Sequence, residues 1–377
     1  MSKPLSKASH TAKAAATNPL KMSQPLGGAM AFLGIDDCLP CFHGSQGCTA
    51  FGLVLLVRHF REAIPLQTTA MDQVQTILGG YDNMEQAILT MVERNRPAVI
   101  GMMTTGLTET KGDDMQGALT LFRKRHPEVA ETTALVFVNT PDFVAGLEEG
   151  FSAAVTAMIE ELVPPAAARV AGQVNILAGS HLTPGDVEEI RDLVESFGLT
   201  PIILPDLSGA MGGRQPDDFS AKTLGGTTLA QIRAMGASEV TLVIGEHMRR
   251  PAAALEVKTD VPYRMFDRLV GLEACDRFIK ALADISGRPV PPKLRRQRDS
   301  LVDSLSTRIS SPAASASWSP WSRNCCTPTQ RCSTRSAARS SPRCRRPRRR
   351  CWSGCAPGPC RSATTRMSRR WPAGRTC

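Results

Sequence analysis

After Ile309 the chain contains no Leu, Ile, Val, Phe, Tyr, Lys, Asp or Glu. Such a segment cannot bury enough apolar surface to offset the conformational entropy lost on folding. From Ser300 to Cys377 there are 16 Arg against one acid, Asp303, so this stretch carries +15 of a chain whose net charge is +10. Residues 1–299 therefore carry −5. All four Trp and eight of the twelve Cys also lie in the last stretch. One reading is an Arg/Ser-rich nucleic-acid arm, with Arg345–Arg350 as its densest phosphate-binding run. The other is GC-rich DNA translated out of frame. The abrupt change of composition, the scattered Cys and Trp and the acidic body favour the second, so nucleic acid is not an expected partner. Residues 304–377 are expected to be disordered or out of frame, and 1–17 to be a disordered N-terminus.

The chain as a whole is 42% hydrophobic, enough for a packed core, and no run approaches the ~20 apolar residues of a membrane span. The first residues lack the apolar run of a secretory signal, and only four Cys precede residue 300. A reducing, cytoplasmic compartment is the expectation. Between 97 and 299, short apolar runs alternate with amphipathic stretches, the pattern of parallel sheets with crossover helices. Strands are predicted near 98–102, 134–139, 174–178, 200–204 and 240–244. Helices are predicted over 112–126, 146–163, 183–197, 227–235 and 264–286, with a loop at 205–213. Thr183 as cap and Pro184 in the first turn mark one helix start. The fold class is α/β, with open parallel-sheet, Rossmann-like domains at 18–165 and 166–303. Ligands of such sheets lie at the carboxyl ends of the strands.

The densest chemistry lies in Cys38-Leu39-Pro40-Cys41-Phe42-His43-Gly44-Ser45-Gln46-Gly47-Cys48. Cys38 and Cys41 form a C-x-x-C: a redox pair, half a metal site, or two small buried apolar residues. No second C-x-x-C precedes residue 300, so one chain cannot supply four thiolates in that way. Cys48 follows Gly44 and Gly47 and precedes an apolar helix-like run, Thr49–Phe60. A helix N-terminus stabilises thiolate, the form that binds iron. The plainer alternative is an inert thiol in a tight turn. Arg58-His59-Phe60-Arg61-Glu62 reads as a capped helix end with salt bridges, or as a charged interface or anion contact. Thr104-Thr105-Gly106 follows a buried strand, and Asp113 and Asp114 read as caps of the next helix.

Together these segments resemble β-type subunits of the nitrogenase component 1 family, over roughly residues 18–303. The resemblance rests on Asn18-Pro19-Leu20-Lys21, Gln24-Pro25-Leu26-Gly27, His43–Cys48 and Arg58–Glu62. It extends to Thr104-Thr105-Gly106 with Gly112-Asp113-Asp114, and to Asn139-Thr140-Pro141-Asp142-Phe143. Catalytic β subunits of the family bring three cysteines to a shared cluster; here those positions hold Ser23, Cys48 and Gly106. The resemblance therefore implies the β-like scaffold branch rather than the catalytic one, with a vanadium-system counterpart as a further alternative. It implies no turnover of its own and no catalytic residue. Cys48 is the one implied metal ligand, holding a 4Fe-4S cluster shared with a NifE-like partner subunit in a heterotetramer. A transient FeMo-cofactor precursor, a precursor-donor protein and the nitrogenase iron protein are the further implied partners. Cys38 and Cys41 have no ligand role in the family pattern, and the family's third α/β domain is replaced here by the basic tail.

Overall fold

A computed structural model of the chain describes residues 22–165, 168–213 and 220–310. The expectations for 1–17 and for the stretch after residue 310 lie outside the described residues. The first half holds strands β1 (Cys38–His43), β2 (Gln67–Thr68), β3 (Val99–Thr104) and β4 (Ala134–Val138). Its helices are α1 (Gln24–Leu33), α2 (Gln46–His59), α3 (Gln73–Leu78), α4 (Tyr81–Asn95), α5 (Gly106–Lys111), α6 (Met115–Arg125), α7 (Pro127–Thr132) and α8 (Leu147–Leu162). The second half holds β5 (Gln173–Leu177), β6 (Thr200–Leu204), β7 (Val240–Ile244) and β8 (Tyr263–Phe266). With them come α9 (Pro184–Ser196), α10 (Leu207–Ala210), α11 (Leu229–Ala234), α12 (Arg249–Thr259), α13 (Leu272–Ser286) and α14 (Pro292–Ser310).

Both sheets are parallel and four-stranded, with orders β2-β1-β3-β4 and β6-β5-β7-β8. Each begins with an inner strand, winds one way, then reverses. The switch point lies between β1 and β3 in the first sheet and between β5 and β7 in the second. The two halves share one core. Val99 and Val136 from the first sheet pack in the same cluster as Leu177, Ile202 and Val243 from the second. Phe32, Phe151, Val155, Ile159 and Leu255, from α1, α8 and α12, belong to that cluster. Separate clusters cover the outer face of each sheet.

Within the central layer α1 and α8 pack most closely. Glycine on each helix permits the crossing: a Cβ on Gly27 would lie 2.0 Å from the Leu147 carbonyl oxygen, and one on Gly150 would lie 2.0 Å from that of Gln24. These neighbours are backbone and cannot rotate away. Gly27→Ala or Gly150→Ala is expected to cost about 1–3 kcal/mol through overpacking. Urea unfolding would read this, with Gly185→Ala as a control, since only Thr183 Oγ1, at 4.0 Å, approaches a Cβ there. Equal midpoints for Gly150→Ala and Gly185→Ala would contradict the account.

Several expectations need correction. The stretch predicted as one helix over 264–286 begins as β8, which pairs with β7 as an edge strand; α13 starts only after Gly271, at φ +93. Cys38–His43 is an inner strand that was not predicted, and α12 and the four-residue α10 were also missed. Asp114 caps α6 by accepting from Gly117 N at 2.9 Å. Asp113 does not cap; it pairs with Lys111 at 3.1 Å. Helix α14 runs from Pro292 across residue 303 to Ser310.

Candidate functional site

At the switch point of the first sheet, the carboxyl ends of β1 and β3 release two loops that are tied together. Thr105 Oγ1 and Thr108 Oγ1 each donate to the His43 carbonyl, at 3.2 Å. A Cβ on Gly44 would lie 2.2 Å from Thr105 Oγ1, so only glycine lets the two loops close. Thr140, after β4, joins them: its N–H donates to Thr104 Oγ1 at 2.7 Å and its hydroxyl to the Thr104 carbonyl at 2.5 Å. Asp142 then holds the start of α1, accepting from Gln24 N at 3.1 Å, while the Gln24 side chain donates to the Pro141 carbonyl at 3.0 Å. Burial raises the Asp142 pKa, and the Gln24 N–H opposes that shift. The network thus gathers Ser23, Gly106 and the His43–Cys48 loop at one end of one sheet.

Ser45 is the N-cap residue of α2, and Cys48 is exposed in its first turn, 3.6 Å from Ser45 Oγ. The expected helix start is therefore present, and the thiol faces outward. Gly106 opens α5; a Cβ there would meet only Asp142 Oδ2, at 3.8 Å. Ser23 is the N-cap residue of α1, and its side chain makes no capping bond. Beneath the loop, His43 is 0% exposed. Its Nδ1 lies 3.1 Å from Thr69 Oγ1, which also accepts from Gly44 N at 3.1 Å. His43 Nε2 has no partner among the described residues. Burial pushes the His43 pKa down to about 4; Asp113 opposes the shift and Lys111 adds to it.

Strand β1 removes the redox-pair and metal-site readings of the C-x-x-C. Residues three apart in a strand point to opposite faces. Cys38 packs in the core between the sheets, and Cys41 packs on the outer face with Met84, Ile88 and Met102. Burial raises both thiols, that of Cys41 to about 12, so neither offers thiolate. Cys275 is partly buried and donates to the Leu269 carbonyl at 3.0 Å. Among the described residues no group of three His, Cys, Asp or Glu could hold a metal ion. An all-cysteine cuboidal iron–sulfur cluster takes four thiolates. Among the described residues the donors fit one corner of such a cluster, through Cys48, and not all four.

Helix α2 around that thiol is apolar on its outer side. Only Thr49, Gly52 and Leu56 are buried, while Phe51, Val54 and Val57 are 67%, 46% and 55% exposed. Phe143 and Val144, next to Asp142, are exposed as well. Arg58 and His59 lie in the last turn of α2, where cations suit the helix dipole. Glu62 accepts from Gly213 N, so part of that charged run is structural. The exposed apolar face escaped the sequence reading, because an apolar helix is ordinarily buried.

A family model described as "Nitrogenase component 1 type Oxidoreductase" matches residues 23–311. A relative from Bradyrhizobium diazoefficiens, named nitrogenase iron-molybdenum cofactor biosynthesis protein NifN, is 51% identical over 296 residues, covering 78% of this chain and 63% of that protein. One of the same name from Nostoc sp. is 51% identical over 293 residues, covering 78% and 66%. Among solved structures, one titled "Nitrogenase Cp1 at pH 6.5" superposes with a TM-score of 0.72 at 30% identity, covering 80% of this chain and 64% of that one. The matched part of the chain thus spans just under two thirds of each of these proteins.

Proposed function

The chain belongs to the nitrogenase component 1 type oxidoreductase family, and we propose that it acts there as a β-like scaffold subunit for assembling the nitrogenase iron–molybdenum cofactor, without turnover of its own. The observation that carries this reading is the outward thiol of Cys48, the one exposed cysteine among the described residues, set on an apolar, uncovered helix at the same sheet end as Ser23 and Gly106. A single ligand on an apolar surface suits a 4Fe-4S cluster completed by a NifE-like partner in a heterotetramer. When bound, such a cluster supplies electron relay between the subunits.

The roles of the chain's own residues follow from their contacts. Cys48 offers one thiolate at a helix N-terminus. Thr105, Thr108 and Gly44 fix the loop that aims it, and His43 and Thr69 support the loop from below. Asp142 keeps the first turn of α1, and with it Ser23, beside that loop. Phe51, Val54 and Val57 meet the partner and exclude water from the cluster's edge. A FeMo-cofactor precursor, its donor protein and the nitrogenase iron protein complete the proposed set of partners, in the cytoplasm. No helix among the described residues is long and apolar enough to cross a membrane.

The reading is tested at the partner surface. Phe51→Asp with Val54→Asp is expected to leave the fold intact by circular dichroism and to abolish co-purification with a NifE-like subunit. Buried aromatic anchors of interfaces are worth about 2 kcal/mol or more, roughly thirtyfold in affinity. Undiminished association of the double variant would remove the interface from α2. The family match stops at residue 311, near the change of composition. That supports an out-of-frame tail, and reading the gene in the other frames beyond codon 300 is expected to recover strand and helix periodicity.

A further inference from the structure

The two sheets have the same strand order, so the second has a switch point equivalent to the one that presents Cys48. Open parallel α/β sheets take ligands in the crevice outside that point. After β5 come Gly179, Ser180 and His181; after β7 come Gly245, Glu246 and His247. His181 is exposed and His247 is half-buried against Phe151, at 6.4 Å between ring centroids. The two imidazoles lie 5.8 Å apart, edge to face at 79°. Both loops are shaped around this pair. A Cβ on Gly179 would lie 2.8 Å from His181 Cε1, and one on Gly245 would lie 2.9 Å from Cε1 of both rings.

The hydrogen bonds set the tautomer. The Ser180 main-chain N–H can only donate, and it donates to His247 Nε2 at 3.1 Å. Nε2 is therefore bare, and the neutral ring carries its hydrogen on Nδ1. Burial keeps His247 below its ordinary pKa; Glu148 and Glu149 oppose this and His181 adds to it. No acceptor for His247 Nδ1 is found among the described residues, and His181 makes no hydrogen bond there. Of the surrounding acids, Glu246 is held by Arg249 at 2.8 and 3.0 Å, and Glu149 accepts from Gly146 N at 3.0 Å. Two imidazoles without a third ligating side chain among the described residues make a poor metal site but a good pair of donors.

We propose that the β5/β7 crevice is a second ligand site, for a small oxyanion whose oxygens accept hydrogen bonds from His247 Nδ1–H and from the His181 ring. It does not depend on Cys48, so it stands or falls apart from the cluster reading. Isothermal titration of the full chain carrying Cys48→Ala, at pH 7, would use inorganic phosphate, molybdate and citrate in separate arms. The expected result is saturable one-to-one binding in at least one arm, weakened tenfold or more by His181→Ala and by His247→Phe. Ser180→Ala, which keeps the main-chain N–H, should bind nearly as the parent does. The exposed position of His181 keeps its variant informative if His247→Phe fails to fold. No saturable binding in any arm, or binding indifferent to His181→Ala, overturns the proposal. So does zinc binding that needs both histidines in a chain that binds no oxyanion.

Discussion

Cys48→Ala, in a complex with a NifE-like partner, is expected to strip the shared cluster site of iron and to remove most of its four-iron electron-spin signal. Loss of a group that merely supports a metal ligand commonly costs about 10–100-fold in affinity, and loss of the ligand itself should cost at least as much. Cys38→Ala and Cys41→Ala should keep both iron and signal. Their thiols lie on opposite faces of β1, fully buried and held in the neutral form. Their cost should appear in stability instead, as cavities in two different clusters. The assignment fails if the Cys38→Ala/Cys41→Ala double variant loses iron while Cys48→Ala retains it.

Acid should weaken the fold through His43. Its folded pKa of about 4 lies below the ordinary value of 6.5 because burial disfavours the charged ring. Between those values the unfolded chain takes up a proton that the folded chain refuses. Stability is therefore fully present above about pH 6.5 and declines as the pH falls toward 4, by about 3 kcal/mol at most. Urea midpoints at pH 7.5, 6 and 5 would show the decline. His43→Asn, which can keep a bond to Thr69, should flatten it. Part of the slope should survive in that variant, because His247 is shifted the same way. A slope unchanged by His43→Asn would assign the acid sensitivity elsewhere.

Local signals in the chain were enough for about half of the elements. The apolar runs of β3 to β7 announced buried parallel strands, and Thr183 with Pro184 marked the start of α9, where the Thr183 hydroxyl accepts from Asp186 N at 3.2 Å. The glycines around Cys48 and the apolar run behind it placed that thiol at a helix start. Other elements had no such signal. In β1 a Pro, two Cys and a His interrupt any period, and both faces are buried, so neither alternation nor a plain apolar run appears. β8 is an edge strand whose pairing with β7 overrides a sequence that reads as helix. The opposite facing of Cys38 and Cys41 follows only once that stretch is known to be a strand. Ser180 and His247 stand 67 residues apart and meet only because β5 and β7 are neighbours in a sheet. Spacing along a chain records helix turns and strand alternation, which are local. Which strands lie side by side is decided by burial of the whole core, and the contacts at the strand ends depend on that.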